Sequence, residues 1–279
     1  MPSSWGLTIM VLLFGMAVGS FLNVVVFRLP LRESVIRPGS RCLSCGAALT
    51  ALDLVPVFSY IFLGGKCRHC GRRFSARYMI VELVTGLVAV ACLIVIGPNL
   101  YAVAVFAMIC VLTAIFFIDL DWMIIPDEMV IALAGFGLVI NALGIWRGEV
   151  GELVHFSERT GPATYAVSLP TSIVGMLVGA AVFFFIGWVS ERIIKRPTMG
   201  GGDVKLAGAM GALLGPGYQF LAFFLYAIFV GAAIGLVIMA LGKHKGRGYI
   251  PFGPMLALSG AAMLLFPAEL TALLMQVYT

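Results

Sequence analysis

The sequence predicts an all-α polytopic membrane protein with about eight transmembrane helices and a cysteine-rich cytoplasmic loop between the first two. Composition supplies the first observation: hydrophobic residues make up 61% of the 279 and charged residues 11%, with a mean hydropathy of +1.07. Soluble domains sit near 45–50% apolar and about 25% charged, so a compact fold in water has no means of burying this much apolar surface. The second observation is a recurrence of apolar runs long enough to cross a bilayer. The third is the one-sided placement of the basic residues described below.

The runs lie near 7–27, 78–97, 100–118, 129–146, 170–190, 204–214, 218–241 and 252–275, the sixth being short and glycine-rich. The first lacks a small-residue cleavage site and continues into "NVVVFRLP", which marks a retained span rather than a removed signal. The chain divides into a first span (1–27), a cytoplasmic four-cysteine loop (28–77) and a transmembrane core (78–279). Nine Lys/Arg fall in 28–77. Three (Arg192, Lys195, Arg196) fall in 191–203 and three (Lys243, Lys245, Arg247) in 242–250. With Lys205 they account for sixteen of the eighteen, and only Arg147 and Arg159 fall opposite. The positive-inside rule puts those loops in the cytoplasm and both termini outside. The net charge of +5 is explained by basic loops resting on anionic lipid headgroups, and no nucleic-acid partner is expected.

Each span flips the chain across the bilayer. Two spans separate the 28–77 loop from "FIDLDWMIIPDEMV" at 117–130, and two more separate that stretch from "GGGD" at 200–203. An even number returns the chain to the same side, so all three segments face one compartment.

The loop contains two C-x-x-C pairs, Cys42/Cys45 and Cys67/Cys70, each followed by glycine (Gly46, Gly71). A tight turn there lets backbone amides point at thiolates, and four thiolates at this spacing suit a closed tetrahedral Zn²⁺ site of structural type. Two disulfides are the rival, disfavoured by a reducing cytoplasm. With four cysteines filling the shell, His69 is left as a surface residue. Cys92 and Cys110 lie in apolar runs and pack as small hydrophobes.

Four acidic residues crowd into ten positions: Asp119, Asp121, Asp127 and Glu128. Asp119 directly follows an uncharged apolar run, and acids at such a depth are rare and usually functional. Asp127 and Glu128 follow Pro126 ahead of the next apolar run, a helix-start signal. Asp121 reads as a solvated or supporting residue. Asp203 follows Gly200, Gly201 and Gly202. It can cap the sixth helix, but a cap needs no glycine triplet, whose freedom carries an entropy cost. Bare backbone does allow an extended peptide to lie beside a carboxylate. Two aspartates brought within hydrogen-bonding range share one proton, because like charges that close do not both ionise. The ionised partner takes a proton from water while the protonated one polarises a peptide carbonyl. Competing machinery is missing: there is no H-E-x-x-H, no G-x-S-x-G, and only three histidines (His69, His155, His244). Glu82, about one turn into the second span, either holds an amine or pairs locally with Arg77 or the Tyr78 hydroxyl.

Six motifs in order carry a resemblance over nearly the whole chain: "GSFLNVVVFRLP" (19–30), the paired C-x-x-C loop, "SARYMIVELVTG" (75–86), "FIDLDWMIIPD" (117–127), "GGGDVKL" (200–206) and "PFGPMLALSG" (251–260). The chain resembles the type IV prepilin peptidases, bifunctional leader peptidase/N-methyltransferases of bacterial pilus and type II secretion systems. The resemblance implies a GxGD intramembrane aspartyl protease of the inner membrane. Such an enzyme cuts the basic leader from prepilins and pseudopilins after a glycine, at the cytoplasmic membrane edge. It then methylates the new N-terminal residue, commonly Phe, with S-adenosylmethionine. On the same grounds the catalytic pair falls on Asp119, which opens D-x(7)-D with Asp127, and on Asp203. The cysteine loop resembles that of the subset retaining the zinc-type tetrad. Without a G-x-G-x-x-G after a strand, the cofactor is expected on cytoplasmic loops and helix ends, the 28–77 loop among them. A basic face does not attract a basic leader, so recognition is expected from apolar helix packing, with Asp121 or Glu128 meeting the leader locally. A multi-span transporter and a zinc-stapled assembly protein without catalysis are the alternatives. Acids at helix ends rather than mid-bilayer, with no internal repeat, speak against transport.

Overall fold

The structure, a computed structural model, describes residues 5–146, 169–195, 199–240 and 251–278. Arg147, His155, Arg159 and Arg196, and the whole basic loop 242–250 with His244, lie outside the described residues. Among the described residues there are ten α-helices, one 3-10 turn and two isolated β-bridges, with no strand. Among the described residues five helices are long and apolar enough to cross a membrane, and a sixth if one bent pair is a single span. This is a multi-pass membrane protein, with a coarser span number than the eight expected. The chain forms two compact units, Met1–Ala114 and Ile115–Thr279.

The first unit holds α1 (Trp5–Arg28), the cysteine loop, α3 (Arg77–Val95) and the start of α4 (Leu100–Trp122). The loop contains a 3-10 turn (Ala51–Leu54) and the short α2 (Phe58–Phe62). α1 and α3 meet backbone to backbone. A Cβ on Gly15 would lie 2.8 Å from Gly86 Cα, and one on Gly19 would lie 2.7 Å from Glu82 Cα. Lipid is as apolar as the side chains, so little hydrophobic force draws such helices together, and close approach at small residues supplies the packing instead. Apolar side chains such as Ile9, Met10 and Phe21 are exposed on α1, as lipid-facing positions should be. Cys92 and Cys110 are buried, in keeping with a packing role.

The second unit begins within α4 and continues through α5 (Asp127–Trp146), α6 (Leu169–Ile194), α7 (Gly201–Leu214), α8 (Tyr218–Ala240), α9 (Gly253–Leu265) and α10 (Pro267–Tyr278). Its centre is α7, which packs against α5, α6, α8 and α9 and is almost wholly buried from Leu206 to Leu214. At 14 residues α7 rises about 21 Å, less than the hydrocarbon thickness of about 30 Å. It survives there because protein surrounds it. A Cβ on Gly175 of α6 would collide with the Gly211 carbonyl and lie 2.8 Å from the Gly215 carbonyl carbon. Buried polar groups add directional ties: Ser172 Oγ donates to Ala212 O at 2.7 Å and accepts from the Asn141 amide. Ser259 Oγ donates to Phe223 O at 2.6 Å, joining α9 to α8.

The expected last span, 252–275, is instead α9 and α10, bent by 104° at Phe266. Pro267 explains the break, since it lacks the N–H an unbroken helix needs and its ring clashes with the preceding turn. The α4–α5 break is similar in kind. Met123 takes φ +55°, and Pro126 precedes the acidic first turn of α5.

Candidate active site and metal centre

In the second unit two acids from distant parts of the chain come together. Asp119 lies in the last turn of α4 and is only 6% exposed. Its carboxyl accepts a hydrogen bond from the backbone amide of Gly253, the first residue of α9. A Cβ at Gly253 would sit 2.5 Å from Asp119 Oδ2, so only glycine allows this approach. Asp203 is half-buried in the first turn of α7, where its Oδ2 accepts from the Gly200 amide at 3.3 Å. Asp119 acts electrostatically on Asp203, which places the two carboxyls within interaction range.

The glycines beside Asp203 have separate surroundings. Gly200 precedes the helix, while Gly201 and Gly202 belong to its first turn. A Cβ on Gly202 would lie 2.9 Å from Ile125 Cβ, whereas one on Gly201 would meet nothing within 4 Å. Ile125 also reaches Gly253, where its Cδ1 would lie 3.1 Å from an added Cβ. One aliphatic side chain therefore packs against glycines on both helices that carry or contact the acids. Neither Gly253 nor Ile125 stood out in the sequence. The available signal was the "FGP" inside the last motif, a glycine just ahead of a helix-starting proline.

Asp127 opens α5 and forms an ion pair with Lys205 Nζ at 2.7 Å, both side chains being more than half exposed. An exposed pair of this kind contributes about 0–1 kcal/mol. Asp121 and Glu128 are exposed.

The first unit contains a four-cysteine cluster able to hold a metal ion. Cys42, Cys45, Cys67 and Cys70 carry no disulfide, and their sulfurs all lie within 4.8 Å of one another. Cys42 Sγ and Cys70 Sγ are 3.9 Å apart. A tetrahedron with Zn–S bonds of about 2.3 Å needs S···S separations of about 3.8 Å, so the cluster fits a four-thiolate metal ion.

Local hydrogen bonding explains how the sequence builds it. In each knuckle the cysteine amide bonds five residues ahead (Cys42 to Ala47 O, Cys67 to Arg72 O). The following glycine amide bonds back (Gly46 to Cys42 O, Gly71 to Cys67 O). Gly46 and Gly71 take φ +72° and +68°, which L side chains rarely adopt. The backbone amides of Cys45 and Ser44 lower the Cys42 thiol towards the thiolate a metal requires, while burial and the neighbouring sulfurs raise Cys45, as expected when four thiols crowd together without a cation's charge between them. Thr50, through its hydroxyl and its amide, and Arg68 at 2.9 Å hold the Asp53 carboxyl below the usual range and brace the segment between the knuckles. His69 is exposed, as expected.

Between this loop and the ends of α1 and α3 that it joins lies a cavity of about 620 Å³. Glu82 lines it and is 9% exposed. Its carboxyl accepts from the Val57 amide at 2.7 Å and from the Ser20 hydroxyl, rather than from Arg77 or the Tyr78 hydroxyl. Asn23 donates to Tyr78 O at 3.0 Å, tying α1 to the start of α3.

Comparison with known proteins fits both units. Residues 13–96 match the bacterial peptidase A24 N-terminal domain, and residues 106–236 match the type IV leader peptidase family. A prepilin leader peptidase/N-methyltransferase of Aeromonas hydrophila is 34% identical, covering 94% of this chain and 91% of its own. One from Burkholderia pseudomallei is 34% identical over 91% of this chain and 84% of its own. One from Myxococcus xanthus is 34% identical over 88% and 68%. No solved structure matches. With its paired acids in one matched segment, its cysteine centre in the other, and relatives aligned along nearly its whole length, the chain belongs to the type IV leader peptidase family.

Proposed function

We propose that this protein is a prepilin leader peptidase and N-methyltransferase in which Asp119 and Asp203 carry out the hydrolysis. The observation behind this is the meeting of a buried α4 acid and a half-buried α7 acid, in a chain whose relatives bear that name. One carboxylate accepts a proton from water, and the water oxygen attacks the scissile carbonyl carbon. The other, protonated, carboxyl hydrogen-bonds the carbonyl oxygen and passes it its proton. Collapse of the tetrahedral diol breaks the C–N bond, and a proton returned from the dyad leaves with the amine. No acyl-enzyme forms.

Open space beside Gly201 gives an extended peptide room next to Asp203, which supports a substrate-access role for the Gly200–Gly202 segment. Asp121, Asp127 and Glu82 are supporting residues in this reading. The substrates are type IV prepilins or pseudopilins, cut after a glycine. The enzyme resides among the lipids of the bacterial inner membrane with its site facing the cytoplasm, as the basic loops favour. S-adenosylmethionine supplies an activated methyl group to the new N-terminal amine.

The four cysteines hold a structural Zn²⁺ that pins the loop. Cys42→Ser is expected to lower bound zinc from about one ion per chain to well below half, read by elemental analysis of purified protein. Full zinc retention would remove the four-thiolate assignment.

Incubating purified protein with a prepilin and weighing the products tests the function. Loss of the leader is expected, followed by a gain of one methyl only when S-adenosylmethionine is present. A transporter or a purely structural assembly protein would leave the prepilin intact.

A further inference from the structure

We infer that Ile125 sets the requirement for glycine before the cut, by filling the space that a side chain on that substrate residue would need. This rests on the peptidase reading above and gives its specificity a physical source. Ile125 is half-buried in the turn between α4 and α5. Its side chain reaches towards both acids. On the α7 side, a Cβ added to Gly202, the residue before Asp203, would lie 2.9 Å from Ile125 Cβ. On the α9 side, the point that a Gly253 Cβ would occupy is 2.5 Å from Asp119 Oδ2 and 3.1 Å from Ile125 Cδ1. Carbon atoms in contact rest about 3.5–4.0 Å apart, so a methyl group does not fit between the Asp119 carboxyl and the tip of Ile125 at that point. Gly201 is different. It sits one position earlier on the same turn of α7, rotated by about 100°, and an added Cβ there meets nothing within 4 Å.

The space beside the acids is thus closed on one flank and open on the other. A peptide bond laid across them turns one neighbouring residue towards each flank. The residue before the cut, glycine in the proposed substrates, has no Cβ and fits the closed flank. The residue after the cut takes the open one. The closed flank is also stiff. Pro126 confines Ile125 to extended backbone, and branching at Cβ restricts its χ1. The Asp127–Lys205 ion pair joins the start of α5 to α7 two positions beyond Asp203. A wall that does not yield rejects an extra methyl more strongly than one that repacks.

The test uses full-length protein in detergent and prepilins altered at single positions, with leader removal followed by product mass. Wild type is expected to cleave a prepilin with alanine before the cut about 10- to 200-fold less efficiently than one with glycine, the span that one misplaced methyl group covers. Ile125→Ala is expected to narrow that ratio of kcat/KM at least about tenfold, because space opens where the extra methyl must go. A ratio is insensitive to a general loss of activity or of folded protein. A second substrate pair, with phenylalanine or alanine after the cut, is expected to keep its ratio. An unchanged glycine/alanine ratio overturns the assignment. So does an equal change in both pairs, which reports a site loosened as a whole. If Ile125→Ala cleaves nothing, Ile125→Val decides, since it removes only the Cδ1 next to Asp119. A narrowed ratio then supports the inference, and the wild-type ratio overturns it. Wild type that cleaves no substrate removes the peptidase reading together with this inference. Wild type that cuts equally well after glycine and alanine removes the inference alone.

Discussion

Asp119→Asn and Asp203→Asn are each expected to lower prepilin cleavage by about 10³-fold or more, with helix content and membrane insertion unchanged. Asparagine keeps the shape of the side chain and can still accept from the Gly253 or Gly200 amide, so the fold has little reason to respond. What it loses is the titratable oxygen. The proposed mechanism needs one partner without its proton and the other with it, and neither role passes to an amide. In that mechanism the two act as a unit, so the double variant should be no slower than the worse single one. Initial rates on a purified prepilin give the measurement. A single variant that cleaves within tenfold of wild type would take that residue out of the chemistry.

The second large effect concerns the contact between α6 and α7. Gly211→Val is expected to destabilise the protein severely, by more than the 1–3 kcal/mol typical of overpacking, and to abolish cleavage. A Cβ at Gly211 would run into the carbonyl of Gly175, a backbone atom that no rotamer change can move. To accept it α7 must shift outward, and α7 carries Asp203. A displacement of about 1 Å at a catalytic group is enough to cost about 10²-fold in rate. Gly135→Val provides the contrast, since a Cβ there meets nothing within 4 Å and the change should lie within about 0.5 kcal/mol of wild type. Thermal unfolding in detergent, with cleavage assayed in parallel, separates the two. Equal melting temperatures for both variants would show that the α6–α7 approach is looser than described.

Several elements were legible because their causes are local. An uncharged apolar run must be helical in lipid, where every backbone N–H and C=O needs a partner within its own segment. Thus the runs near 7–27, 78–97, 100–118, 170–190 and 218–241 became the five long helices. Each cysteine knuckle closes within six residues, so its spacing and its glycine are readable without knowing the rest of the chain. Where the cause is not local, the sequence does not show it. Pro267 was visible in the sequence, but an apolar run on both sides of it gave no sign that the helix turns through 104°. Glu82 is visible in the sequence as a carboxyl in an apolar run, yet its partners, Val57 and Ser20, come from the loop and from α1.

By itself, the sequence determined that this chain is a helical membrane protein with a four-cysteine cluster and two acids at helix ends. Those properties follow from hydropathy, turn chemistry and short spacings. Only the tertiary structure decided that Asp119 lies within electrostatic range of Asp203 and accepts from the Gly253 amide, that Ile125 fills the space beside both glycines, and that Glu82 lines a cavity. The physical reason is the packing of helices in lipid. Their approach is set by where backbones can touch, at glycines such as Gly15, Gly86, Gly175 and Gly211, and those pairings join residues tens of positions apart.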